Sequence, residues 1–174
     1  MKKTILLLLM LAISVAFAGG ASAAFISTNL DVSATVIAAC DDISTTPVNF
    51  GTYNNANTDA DGSVIVNCLE GSVYGIKMFE GTNFAGGLIQ QRQMTASGGA
   101  TIGYQLFKDA GRSLVWGSCR GGILCLGQAT ALESNGTGSP QTFTVFGRAF
   151  APGFLQQNPP PGSHVDLVEV QVDF

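Results

Sequence analysis

Positive charge is scarce in this chain: eight Lys and Arg among 174 residues, against 12 Asp and Glu, for a formal net charge of −4. No cluster of Lys and Arg is present that neutralises several phosphates, which argues against nucleic acid and against an anionic membrane surface as partners. Charge of either sign is low, at 11% of residues, while apolar residues make up 46%. That balance excludes a disordered chain, which is poor in apolar residues and rich in charge. Helical periodicity is missing after residue 23: no window of about a dozen residues holds a 3.6-residue apolar period without Gly or Pro interrupting it. Histidine occurs once, at His164, with no nucleophile motif near it, and neither G-x-S-x-G nor a phosphate-cradling loop occurs. No enzyme, no catalytic residue and no cofactor is expected.

Metal ligation fares no better. Asn57-Thr58-Asp59-Ala60-Asp61-Gly62 begins like a calcium loop, but the twelfth position, where Glu belongs, is Cys68. The motif fails, and the stretch reads as a polar turn. The four cysteines, Cys40, Cys68, Cys119 and Cys125, lack the short C-x₂₋₄-C spacing of zinc sites.

What the sequence does have begins at its N-terminus. Lys2 and Lys3 precede an apolar run from Ile5 to Ala18, interrupted only by Ser14, and Ala21-Ser22-Ala23 supplies small residues for cleavage. Residues 1–23 therefore read as a cleavable secretory signal peptide, with the cut before Ala24. The alternative, a membrane anchor, needs about 20 apolar residues, more than this run has, and no stop-transfer cluster follows. No membrane insertion is expected. About 150 residues remain, enough for one domain with a proper core. An even number of cysteines in an exported chain reads as disulfides. Three pairings are open, and local pairing, Cys119 with Cys125 and Cys40 with Cys68, is the simplest. Closing a loop of about 28 residues stabilises by roughly 3–4 kcal/mol in the chain-entropy model, and the shorter loop by less.

Strand patterns recur through the remainder. Ile26, Thr28, Leu30, Val32, Ala34 and Val36 alternate with Ser27, Asn29, Asp31, Ser33 and Thr35, a period-2 pattern with one largely apolar face. Further strands are expected at Val64–Val66 leading into Cys68, at Tyr74–Phe79, at Ile102–Phe107, at Leu114–Trp116 after a turn, at Thr142–Phe150, and at Val168–Phe174. Gly-rich stretches at 81–87, 97–99 and 117–127, and the segments 135–140 and 159–162, read as loops. Short strands separated by turns predict a β-sandwich. Arg92 and Arg148 fit either recognition or a structural arginine bonding loop carbonyls, and Trp116 fits the core.

In order and spacing, several motifs resemble the spore coat protein U domain family, which includes the subunits of archaic chaperone–usher pili. They are Val32-Ser33-Ala34-Thr35-Val36 leading to Cys40, Val48-Asn49-Phe50-Gly51-Thr52-Tyr53, Ile65-Val66-Asn67-Cys68, Tyr74-Gly75-Ile76, Arg92-Gln93-Met94, Gly103-Tyr104-Gln105-Leu106-Phe107 with Trp116-Gly117, Val145-Phe146-Gly147-Arg148, and Pro161-Gly162-Ser163 with Asp166 and an alternating tail. The chain departs from the pattern at the Cys119–Cys125 loop, which the family does not share, at His164, where an aromatic is more usual, and at Phe174, where Tyr is common.

The resemblance implies an all-β fold, an incomplete immunoglobulin-like sandwich of pilin type whose missing strand leaves a groove, completed by donor-strand exchange. It implies a periplasmic chaperone, an outer-membrane usher and neighbouring subunits of a homo- or hetero-polymer as partners, and a structural role in a surface pilus serving adhesion and biofilm formation. The expected organisation is a signal peptide at 1–23, a donor-strand extension at 24–35 and a pilin domain at 36–174. Donor residues are expected at Ile26, Thr28, Leu30, Val32 and Ala34, on an alternation that runs on into the domain's first strand before Cys40. The chaperone-facing terminal strand is expected at Val168, Val170, Val172 and Phe174. The alternatives are a non-polymerising coat or surface protein of the same fold, and a tip adhesin, for which about 150 residues leave no room for a second, binding domain.

Overall fold

A computed structural model describes residues 24–37, 39–83, 92–120, 125, 128–153 and 159–174. The expected signal peptide lies outside these residues. The chain divides into two units, Met1–Thr35 and Val36–Phe174. In the first, residues 24–35 lie outside any helix or strand and every side chain is exposed.

The second unit is all-β. Its strands are β1 (Cys40–Thr46), β2 (Thr58–Cys68), β3 (Val73–Met78), β4 (Gln93–Thr95), β5 (Thr101–Phe107), β6 (Leu132–Asn135), β7 (Gln141–Ala149) and β8 (Val170–Asp173). They form a five-stranded sheet in the order β1-β2-β7-β5-β4 and a three-stranded sheet in the order β6-β3-β8, and every named pairing is antiparallel. This is the expected sandwich. Alternation places Val64, Val66, Tyr74, Ile76, Leu106 and Val145 in the core between the sheets. Along β2 and β7 their neighbours in sequence are less buried, as a period of two requires, whereas β5 is buried almost throughout.

Three expectations about strands are corrected. The 26–36 alternation does not continue into the domain's first strand, since that strand begins at Cys40. The stretch 58–62 is not a polar turn: β2 runs through it, paired residue for residue with β7. Its acidic residues are answered by arginines, Asp59 across the ladder by Arg148 at 2.7 and 2.9 Å and Asp61 by Arg112 of the turn after β5 at 2.9 Å. The expected strand at Leu114–Trp116 is reduced to a single bridge, Phe107 with Val115.

Both disulfides form as expected. Cys40–Cys68 joins the start of β1 to the end of β2, and Cys119–Cys125 closes a short loop. Trp116 is fully buried, its indole N–H donating to the Ile76 carbonyl at 2.9 Å.

Candidate functional site

Between the sheets lies a partly open cavity of about 1010 Å³. Its apolar lining is assembled from elements distant in sequence: Val64 of β2, Met78 of β3, Met94 of β4, Ile102, Tyr104 and Leu106 of β5, Val145 of β7, and Val168 and Val170 at β8. Val64, Met78, Ile102 and Val145 are at most 4% exposed, so the inner wall is apolar and deeply set. The rim is supplied by the Pro47–Tyr53 segment on one side and Pro159–Asp166 on the other. At these rims stand two edge strands, β1 of the larger sheet and β8 of the smaller.

Backbone geometry makes β8 receptive. Phe79 N–H donates to the Glu169 carbonyl and Thr82 N–H to the Leu167 carbonyl, each at 3.0 Å. Odd-numbered residues of this segment therefore turn their main-chain groups toward β3, and by alternation the even-numbered ones turn theirs outward. Among the described residues β8 pairs with β3 alone. Val168, Val170 and Val172 thus do two things at once. Their side chains pack, half-buried, against the core, and Val170 and Val172 present N–H and C=O groups at a free edge, a template for another strand. Phe174, of the same parity, is 53% exposed.

Polar residues hold this arrangement open. The Asp166 carboxylate accepts from Tyr104 Oη at 2.6 Å, from the backbone N–H groups of Thr82 and Asn83 at 2.9 and 3.1 Å, and from Leu167 N–H at 2.9 Å. It thereby pins β5 and the turn after β3 to the strand leading into β8. Gly81 permits the close approach: its φ is +89°, and a Cβ there would stand 2.1 Å from Asp166 Oδ2. Burial, reinforced by the bond to Asp166, pushes the Tyr104 phenol well above its ordinary value, so it stays a neutral donor.

Arg92 is fully buried. Its guanidinium donates to the carbonyls of Met78 at 2.9 Å, Phe79 at 2.7 and 2.9 Å and Trp116 at 3.0 Å, and to Gln105 Oε1. Burial lowers its pKa to about 10, which still leaves it charged at neutral pH. Of the two readings open for Arg92, the structural one holds. Arg148 is structural too, but it bonds the Asp59 carboxylate rather than loop carbonyls. His164 sits on the cavity rim, with Nδ1 3.2 Å from the Gly162 carbonyl.

The expected donor residues, Ile26, Thr28, Leu30, Val32 and Ala34, are exposed and lie outside any strand; Ile26 is 101% and Leu30 86% exposed. The residues that line the cavity and the Asp166 network were missed at the level of sequence, whereas the carbonyl-bonding role of Arg92 was among its readings. The apolar alternation of β2, β5 and β7 marks the lining residues as inward-facing but not as uncovered. Among the described residues no three His, Cys, Asp or Glu side chains gather to hold a metal, and no helix is long and apolar enough to cross a membrane.

The fold has a counterpart among known proteins. The family model described as Spore Coat Protein U domain matches residues 26–171. Among solved structures, the chain is similar to the crystal structure of the CsuC–CsuE chaperone–tip adhesion subunit pre-assembly complex from the archaic chaperone–usher Csu pili of Acinetobacter baumannii. The TM-score is 0.56 and the identity 23%, over 80% of this chain and 40% of that one. That likeness shows the fold, and the chain spans less than half the length of the chain it matches. No curated protein matches.

Proposed function

The chain belongs to the Spore Coat Protein U domain family, and from that premise we propose that it is a structural subunit of a surface pilus, assembled by strand donation. The observation that carries this reading is the cavity, apolar on its inner wall and polar at its rim, flanked by the free edge of β8. A cavity lined by Val, Ile, Met and Leu and open to water invites an apolar occupant. Each large residue buried there is worth roughly 1.5–3 kcal/mol. A strand pairing with the outward groups of Val170 and Val172 directs every second side chain into it.

Residues 24–35 have the matching pattern. In the assembled fibre, Ile26, Thr28, Leu30, Val32 and Ala34 of one subunit enter the cavity of the next. Before assembly a periplasmic chaperone supplies the strand, and an outer-membrane usher is where one strand replaces the other. Residues 1–23 direct export, and the pilus serves adhesion and biofilm formation at the cell surface.

The test compares two forms of residues 24–174 expressed in a periplasm without a cognate chaperone. The first, unaltered, is expected to be poorly soluble or oligomeric. The second has residues 24–35 repeated after Phe174 through a short linker and is expected to be a stable monomer. An unaltered chain that stays monomeric at high concentration with ordinary stability would rule strand donation out and favour a non-polymerising coat protein.

A further inference from the structure

Resting on the strand-acceptor reading above, we propose that Arg120 is a positioning residue for strand addition, held in place by the Cys119–Cys125 disulfide. The strand that receives a partner is short. β8 has four residues and is paired on one side only, by four register positions ending at Gly75 with Asp173. Such an edge frays readily, because few buried contacts and many exposed backbone bonds place it at the low-stability end of a fold. A frayed β8 offers an incoming strand no fixed row of N–H and C=O groups.

Arg120 grips the end of this ladder. Nη1 donates to the Asp173 carbonyl at 2.7 Å and stands 3.4 Å from the Asp173 carboxylate, while Nε lies 3.9 Å from Glu133 of β6. Nη2 reaches toward the Val73 carbonyl at 3.5 Å. One guanidinium thus spans all three strands of the smaller sheet, on the face away from the cavity. Lys77 completes the grip with a 2.9 Å ion pair to Asp173.

A second observation shows that the sheet is shaped to receive this side chain. β3 has Gly at position 75, and a Cβ there would stand 3.0 Å from Arg120 Cδ and Nε. The absent side chain is what lets Arg120 lie flat across β3. The backbone that presents Arg120 is fixed from both directions. Cys119 N–H donates to the Ala129 carbonyl at 3.3 Å, Ala131 N–H donates to the Cys119 carbonyl at 2.8 Å, and the disulfide closes the six-residue separation to Cys125. Of the described loop residues, none of Cys119, Arg120 and Cys125 lines the cavity. The loop's consequence is the register and rigidity of the strand that a partner must read.

The test uses residues 24–174 at low concentration and, as probe, a fluorescent synthetic peptide covering residues 24–36. Uptake is followed by anisotropy, and hydrogen exchange reports the β8 amides. In Arg120→Ala and in the double variant Cys119→Ser/Cys125→Ser, uptake is expected to slow about tenfold, the scale of one lost charge-assisted bond. Exchange at Gln171 and Asp173 should rise, while β2 and β7 stay protected. Arg120→Lys, which keeps one donor for the Asp173 carbonyl, should recover part of the rate. Gly75→Val separates position from stability. It adds a residue of high β-propensity to β3 but displaces Arg120, so uptake should slow although melting is not lowered. Wild-type rates in both Arg120→Ala and Gly75→Val would overturn the inference and leave strand acceptance standing. An unaltered chain that takes up no peptide would overturn both.

Discussion

β7 and β8 are built to the same plan and meet opposite fates. Both alternate apolar and polar residues, and both turn their apolar faces inward. β7 runs between β2 and β5, with nine register pairs on one side and four on the other, so its main chain is answered on both edges. β8 has four pairs on one side and no named strand on its other. Val145 of β7 is 4% exposed, while Val170 of β8 is half-buried at the lip of the cavity. The difference teaches that alternation assigns a face and says nothing about an edge. One strand is interior to its sheet, and the other is an edge.

The sharpest way to break this comparison is to place the same charge in each strand. Val145→Asp buries a carboxylate with no partner and is expected to cost at least about 4 kcal/mol, enough to unfold even a form carrying its own donor strand. Val170→Asp acts where the wall is half open and should leave that form folded with a lowered melting temperature. In the open chain it should abolish peptide uptake. Thermal melts of both donor-complemented variants measure this. Equal losses would mean that β8 is as much part of the core as β7, and the distinction would fail.

The next largest effect concerns β1, the other edge flanking the cavity. Six of its seven residues are exposed, so little burial secures it. Pairing with β2 and the Cys40–Cys68 bond hold it instead. Removing that bond with Cys40→Ser/Cys68→Ser is expected to cost about 3 kcal/mol, from a loop of separation 28. Removing Cys119–Cys125, at separation 6, should cost less overall stability yet slow strand uptake more. Denaturant unfolding under non-reducing conditions, run beside the uptake assay, ranks the two. If both disulfides move stability and uptake in the same order, the second has no special tie to β8.

These contrasts explain what the sequence made legible. β7, β8 and the end of β2 bury one face, which leaves a period-2 trace, and β3 and β5, buried more fully, stand out as short apolar runs. β1 has almost no buried face, and β6 has four residues running into Asn135-Gly136, so both escaped notice. The first half of β2 looked like a turn because Asp59 and Asp61 are poor strand formers. What makes a strand of it is Arg148, 89 residues away, and Arg112, 51 residues away, and no local pattern contains such a partner. The 26–36 alternation read as a strand, yet the residues pair with no strand in this structure. The disulfides were readable because local pairing was also the simplest. The cavity was not, since its lining converges from seven strands distant in sequence.

Acid titration should produce the smallest effect and still separate the two strands. Each has a carboxylate tie on an outer sheet face. The bond from Arg148 holds Asp59 below its ordinary value of 3.8, and the bond from Lys77, with Arg120 beside it, does the same for Asp173. A carboxylate whose folded pKa is depressed contributes stability that is present above the unfolded value and is lost as pH falls through the folded one. Both ties should therefore weaken below about pH 4, and because both are exposed, the change in global stability should be small. The local consequences differ. β7 loses one ion pair from a ladder answered on both edges and should keep its protection against hydrogen exchange. β8 loses the grip of Lys77 and part of that of Arg120 on a four-residue edge, so protection at Gln171 and Asp173 should fall severalfold as pH drops from 6 through the depressed Asp173 value, and peptide uptake should slow with it. Asp173→Asn should bring the low-pH behaviour of β8 to pH 6 and flatten its pH dependence, while Asp59→Asn leaves β8 unchanged. Parallel loss of protection in β7 and β8 would mean that acid loosens the domain as a whole, and that the two strands share one stability after all.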